Sequence, residues 1–364
     1  MGKNEFDLND IKTNESSLSD LNNLSEKTPP KRVAIIYFSG TGNTEKVANL
    51  YFDEFEKRGI KCDLFSLPLK TAVDFSAYDL LGVGYPVHAF NTPEIVLSFV
   101  KTMQKTPLKR VFVFKTSGEP LKLNDVSSLK LIKLLAKRGY LVQQEYHYIM
   151  PYDIIFRHSD YMADKMWKTT SALVPINCKE ILHGVKTKKK KFFLGGTFAF
   201  IMSIEHFGAR LNGRFYKVKS SCIKCGKCIK ICPTENITEQ DGKIVFGKKC
   251  IMCTRCAFFC PTDSIKLGLF DGWRVNGEYS FKDLKSAVVA AEDSKSADDN
   301  DKNCASVGDD IDCKSTVAAD KNCEEIKESI SANGKHEKYC KKAYAKYFKN
   351  AEEIIKNAIT KMDD

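Results

Sequence analysis

No stretch of the 364 residues approaches the roughly 20 consecutive apolar positions needed to cross a bilayer. The nearest candidate, Phe192–Ile204, is too short and holds Gly195-Gly196. The opening segment, MGKNEFDLNDIKTNESSLSD, lacks the apolar core of a secretory leader. These absences argue against a membrane span and place the expected location in the cytoplasm, where cysteines stay reduced. Acidic residues are in deficit, with Asp+Glu 46 against Lys+Arg 57 and a formal net charge of +11. Such an excess attracts acidic proteins, anionic lipid or nucleic acid. An acidic protein partner is expected here, and nucleic acid is not.

Composition changes sharply along the chain. Residues 1–30 are polar, end in Pro29-Pro30 and are expected to be disordered. From Lys31 apolar runs alternate with helical periodicity. Val33–Phe38, Lys61–Ser66, Leu80–Gly84, Arg110–Phe114 and Leu141–Ile149 read as strands. Val47, Ala48, Tyr51 and Phe55 mark one helix face, and Leu129, Ile132 and Leu135 another. Alternating strands and helices predict a doubly wound parallel sheet over 31–185. Residues 160–174 read as helix, with Pro175 expected to interrupt or kink it. A connecting segment, 186–212, carries Lys186–Lys191 and Phe192–Ile204. It is read as interdomain packing, with contact to an anionic membrane surface as the alternative. Residues 285–335 read as a flexible linker. A marginal helix is expected over 337–362, with Tyr344, Phe348, Ile355 and Ile359 on one face.

The 14 cysteines are unevenly spread. Cys222, Cys225, Cys228 and Cys232-Pro233 form one run; Cys250, Cys253, Cys256 and Cys260-Pro261 form another. Each reads C-x2-C-x2-C-x3-C-P, and every cysteine of the second lies 28 positions after its counterpart, as Cys250 follows Cys222. The region is thus an internal duplication, with halves at about 213–242 and 243–270. Three closely spaced thiolates wrap one iron–sulfur cube, while the fourth, turned by proline, reaches the other. Cys222, Cys225, Cys228 and Cys260 are therefore expected to hold one 4Fe–4S cluster. Cys250, Cys253, Cys256 and Cys232 are expected to hold the second. Structural zinc takes pairs of close cysteines rather than runs of four. Residues 213–270 resemble the bacterial two-cluster ferredoxins, which implies single-electron relay between two cubes. Among the other cysteines, Cys62 is read as core. Cys178 has no visible partner, and Cys304, Cys313, Cys323 and Cys340 show no ligand pair.

A second motif follows the first strand: Ser39-Gly40-Thr41-Gly42-Asn43-Thr44 opens a helix. N–H groups at a helix start attract a phosphate dianion, and the hydroxyls add donors. No lysine follows, and the third glycine of a dinucleotide fingerprint is missing, so neither a Walker loop nor NAD is indicated. Two more loops end later strands: Tyr85-Pro86-Val87-His88 and Thr116-Ser117-Gly118. All three should converge at the sheet's carboxyl edge. Together they resemble the flavodoxin family over about 32–180. That resemblance implies FMN, its phosphate in the first loop and its ring flanked by the other two. Tyr85, His88 and Phe90 are candidates for ring contact, and Met150-Pro151-Tyr152 borders the same edge.

The chain therefore resembles flavodoxin–ferredoxin fusion proteins, common in anaerobes. The expected fold is α/β, a flavodoxin-like doubly wound sheet, followed by a small α+β ferredoxin domain with a pseudo-twofold. The function implied is electron transfer between FMN, two 4Fe–4S clusters and a partner oxidoreductase. A carrier ranks above a stand-alone enzyme, because no catalytic acid or base is evident. The alternatives are a flavin-dependent reductase of a small substrate and a redox or oxygen sensor.

Overall fold

The computed structural model describes residues 29–187, 204–281 and 334–363. Most of 1–30, the linker 285–333 with Cys304, Cys313 and Cys323, and most of the Lys186–Ile204 segment lie outside the described residues.

Five apolar runs form the expected strands: β1 (Arg32–Tyr37), β2 (Lys61–Ser66), β3 (Leu80–Pro86), β4 (Lys109–Ser117) and β5 (Tyr140–Ile149). All pair in parallel, in the order β2-β1-β3-β4-β5. That order is the flavodoxin-like doubly wound arrangement. Helix α1 (Asn43–Glu56) follows β1, α2 (Glu94–Thr102) follows β3, and α3 (Leu129–Ala136) precedes β5. Helix α4 (Asp160–Leu182) follows β5. On one face of the sheet Val33, Ile35, Phe112 and Phe114 pack on Val47, Tyr51 and Phe55 of α1 and on Val174 and Cys178 of α4. On the other, Ala34, Ile36, Leu81, Val83, Val111 and Val113 pack on Val96 and Val100 of α2 and Leu131 and Leu135 of α3. With both faces covered, the strands are apolar throughout, as parallel strands must be. Gly82 and Gly84 on β3 lie beside Phe112 and Phe114 on β4, whose rings fill the space where a Cβ would stand.

Helix α4 runs unbroken through Pro175, contrary to expectation. Its buried face, from Ala163 and Met166 to Val174, Cys178 and Ile181, continues across the proline. Packing along that face outweighs one missing backbone hydrogen bond. The buried Cys62 and Cys178 belong to the same core cluster.

The cysteine region begins with α5 (Ile204–Gly213). Strand β6 (Lys217–Val218) pairs antiparallel with β9 (Ile265–Lys266), and β7 (Ile237–Gln240) pairs with β8 (Lys243–Phe246). Two one-turn helices, α6 (Lys227–Lys230) and α7 (Arg255–Phe258), occupy duplicated positions. The duplication extends to backbone angles. Lys224 and Met252 have φ of 55° and 53°, Glu235 and Asp263 of 49° and 46°. Gly226 at 69° corresponds to Thr254 at 54°. The fold thus keeps a left-handed residue there even where glycine has been replaced.

The terminal helix α8 (Gly334–Asp363) is docked rather than marginal. Tyr344 and Phe348 are buried against Ile149 and Met166. Ile359, expected on the same face, is 55% exposed. Among the described residues no helix is long and apolar enough to cross a membrane.

Candidate functional site

The eight clustered cysteines line two cavities. One is bordered by Cys222, Cys225, Cys228, Cys256 and Cys260. The other is bordered by Cys232, Cys250, Cys253 and Cys256. Among the described residues no group of three or more His, Cys, Asp or Glu gathers tightly enough for a single metal ion. Four thiolates around one hollow are the donor set of an iron–sulfur cube.

Backbone donors point at sulfur in matched pairs. Lys224 N–H donates to Cys222 Sγ and Met252 N–H to Cys250 Sγ, each at 3.4 Å. Asn236 N–H donates to Cys232 Sγ at 3.3 Å and Ser264 N–H to Cys260 Sγ at 3.2 Å. Burial pushes the Cys253 thiol up to about 12 and raises Cys256 and Cys250 as well. These thiols ionise only if a cation offsets the charge, as coordination does. Tyr216 is buried and brings its hydroxyl beside Cys250. A hydroxyl donor held next to a sulfur fits a site that faces an anionic cluster.

The two cavities differ in exposure. Around the first, Cys225 is exposed, Ile223 is 62% exposed, and Lys224, Lys227 and Lys230 are exposed. The second lies against the parallel sheet, where Ile251 and Cys253 pack on the core facing α2 and α3.

The first loop, Ser39–Thr44, stands at the carboxyl end of β1. Gly42, at φ 103°, opens α1, and its N–H donates to Ser39 Oγ at 3.1 Å. The N–H groups of Gly40, Thr41, Asn43 and Thr44 make no hydrogen bond among the described residues. Because Ser39, Gly40, Thr41 and Thr44 are buried, this is a cradle of donors suited to a phosphate. Thr44 Oγ1 meets Thr116 Oγ1 at 2.8 Å, which ties the first loop to the third. Asn43 donates to the Pro151 carbonyl at 2.7 Å. Thr41 Oγ1 donates to Asp153 at 3.1 Å, and burial pushes the Asp153 carboxyl up to about 6.

The other loops reach the same edge, with one correction. Tyr85 is fully buried in the core, and its hydroxyl meets Ser127 Oγ at 3.2 Å. Its side chain packs in the core that faces α2 and α3. Pro86 and Val87 continue from it, with Val87 N–H donating to Thr116 O at 2.8 Å. His88 and Asn91 exchange backbone hydrogen bonds in a tight turn that carries Ala89 and Phe90 at positive φ. The His88 ring lies edge-on to Phe38, centroids 6.3 Å apart. Ser117 Oγ meets His147 Nε2 at 2.7 Å. Gly118 is covered by the Tyr152 ring, which leaves no room for a Cβ, and its carbonyl accepts from Tyr344 of α8. His158 Nδ1 accepts from Tyr152 N–H at 3.2 Å, while Nε2 faces the Tyr344 hydroxyl at 3.3 Å. Burial lowers the His158 pKa to about 4.

The sequence reading missed Asp153, His158 and Tyr216, none of which sits in a motif, and placed Tyr344 only on a helix face. The guanidinium of Arg255 also joins the loops. It donates to Gly40 O at 2.9 Å, to Ile231 O at 3.2 Å and to Ser39 O. The register of the duplication singles it out, since its counterpart is Lys227.

Residues 212–265 match the 4Fe-4S dicluster domain family. No curated protein matches the chain. Among solved structures, oxidised flavodoxin 2 from Bacillus cereus is 18% identical over 41% of this chain and 99% of its own, with a TM-score of 0.32. Megasphaera elsdenii flavodoxin is 23% identical over 32% and 84%, with a TM-score of 0.27. A Streptococcus pneumonia TIGR4 flavodoxin is 15% identical over 41% and 97%, with a TM-score of 0.31. The chain joins a sheet of flavodoxin-like order to a segment that matches the 4Fe-4S dicluster family, which supports an electron-transfer role.

Proposed function

We propose that the protein relays electrons between FMN and two 4Fe–4S clusters and exchanges them with a partner oxidoreductase. The observation that carries this reading is the packing of one cysteine quartet directly beneath the phosphate loop. A Cβ added at Gly40 would stand 2.7 Å from the Cys253 carbonyl oxygen. When bound, the flavin handles one or two electrons and each cluster one at a time, so the pair matches two-electron to one-electron chemistry.

The chain's own residues supply the setting. Cys222, Cys225, Cys228 and Cys260 would hold one cube, and Cys232, Cys250, Cys253 and Cys256 the other. The Lys224, Asn236, Met252 and Ser264 N–H groups offset charge on the sulfurs. The Ser39–Thr44 loop would hold the phosphate, and the turn at His88 and the Thr116–Gly118 loop would flank the ring. Lys224, Lys227 and Lys230 around the exposed cavity favour an acidic partner.

Anaerobic reconstitution with iron, sulfide and FMN tests the reading. About eight iron atoms and one FMN per chain are expected. Zinc at those sulfurs, disulfides between them, or no retained flavin would overturn it.

A further inference from the structure

The duplicated halves are equivalent in spacing but not in surroundings. Arg255 and Lys227 occupy matching positions, as do Tyr216 and Ile244. Lys227 is exposed, its ammonium 5.5 Å from the Phe259 ring centroid. Arg255 crosses to the other domain and grips two consecutive carbonyls of the phosphate loop. Ile244 borders the exposed cavity and offers no polar atom, whereas Tyr216 brings a hydroxyl to Cys250.

The grip on those carbonyls has a geometric result. In a trans peptide the C=O and N–H point in opposite directions. The Ser39 carbonyl shares its peptide with Gly40 N–H, and the Gly40 carbonyl shares its peptide with Thr41 N–H. Anchoring both oxygens on one guanidinium turns both N–H groups the other way, and both lack a partner among the described residues. Arg255 sits between Cys253 and Cys256 in sequence, so the residue that aims the anion cradle also belongs to the inner cysteine run.

We propose that the inner quartet, Cys232, Cys250, Cys253 and Cys256, is the station that exchanges electrons with the flavin, and that Arg255 is the positioning residue coupling it to the phosphate loop. The outer quartet, Cys222, Cys225, Cys228 and Cys260, is then the outward terminal, reached by the partner. This assignment rests on the function proposed above. Each transfer moves one electron and makes or breaks no bond. The electrons come from a partner protein or, in the test, from dithionite. Since coupling between two sites is reciprocal, FMN binding must shift the reduction of the inner cube as much as reduction shifts FMN affinity.

The test uses the full chain loaded anaerobically with iron, sulfide and FMN. Two cluster potentials are followed by EPR during a dithionite titration, with and without FMN, and FMN affinity is measured by fluorescence quenching. Tyr216→Phe marks the inner cube, because losing that hydroxyl lowers only its potential. In the wild type FMN is expected to shift that same wave and leave the other in place. Arg255→Ala should weaken FMN binding about tenfold and abolish the shift, Arg255→Lys should recover part of both, and Lys227→Ala should change neither. Inorganic phosphate should compete with FMN in the wild type and do so about tenfold less well in Arg255→Ala. The assignment is overturned if FMN shifts the outer wave or both alike, if Lys227→Ala acts as strongly as Arg255→Ala, or if Arg255→Ala leaves affinity and shift intact. Failure of the wild type to retain eight iron atoms and one FMN overturns the proposed function itself, and this assignment with it.

Discussion

Two buried ionisable side chains near the loops oppose each other. Asp153 is raised from 3.8 to about 6, so the stability it contributes is fully present below pH 3.8 and lost as pH rises through about 6. His158 is lowered from 6.5 to about 4, so its contribution is present above pH 6.5 and lost as pH falls through about 4. Each amounts to the order of 1–2 kcal/mol, given 1.36 kcal/mol per pKa unit and partial solvent access. Between pH 4 and 6 the two nearly cancel, and the wild-type Tm should vary little there. Asp153→Asn should make Tm fall on acidification across that range, and His158→Gln should make it rise. A wild-type Tm that slopes as steeply as either variant would refute this opposition. Gly118→Ala drives a methyl into the Tyr152 ring and should destabilise by about 1–3 kcal/mol in thermal unfolding.

At the scale of elements, α8 docks from outside the sheet through Tyr344 and Phe348 on Ile149 and Met166, which gives it its own unfolding behaviour. Phe348 is 5% exposed and stacks on Tyr344. Phe348→Ala should cost about 3 kcal/mol of docking. Hydrogen exchange over 341–360 should accelerate while the central strands keep their protection. Uniform acceleration through β1 and β3 would show instead that the helix unfolds only with the whole domain. The strands were legible because strands covered on both faces read as unbroken apolar runs, and the duplicated cysteines were legible from spacing alone. The direction of Tyr85 was not, since alternation carries no information when both faces are buried. Helix α4 passes Pro175 because tertiary packing outweighs a local breaker, and periodicity before the proline cannot show what packs after it. Docking of α8 depends on Ile149 and Met166, far away in sequence. The grip of Arg255 on Ser39 and Gly40 likewise joins distant segments that share no motif.

At the scale of the whole molecule, the proposed function together with a net charge of +11 and exposed Lys224, Lys227 and Lys230 beside the outer cavity predicts an electrostatic partner encounter. The second-order rate of electron exchange with an acidic redox protein should fall steeply from low salt to 0.5 M, where screening reaches only a few ångströms. The triple change of those lysines to glutamate should slow it roughly 10- to 100-fold and flatten the salt dependence. An unchanged rate would move the docking face elsewhere. The unequal exposure of the two cavities has one more consequence. Oxygen diffusing in from water meets the open quartet first, while the roofed one is shielded by the parallel sheet. Under the proposed reading the outer cube acts as a fuse: brief aeration burns out the external contact and spares the flavin-side pair, and resupplied iron and sulfide mend the break without refolding the core.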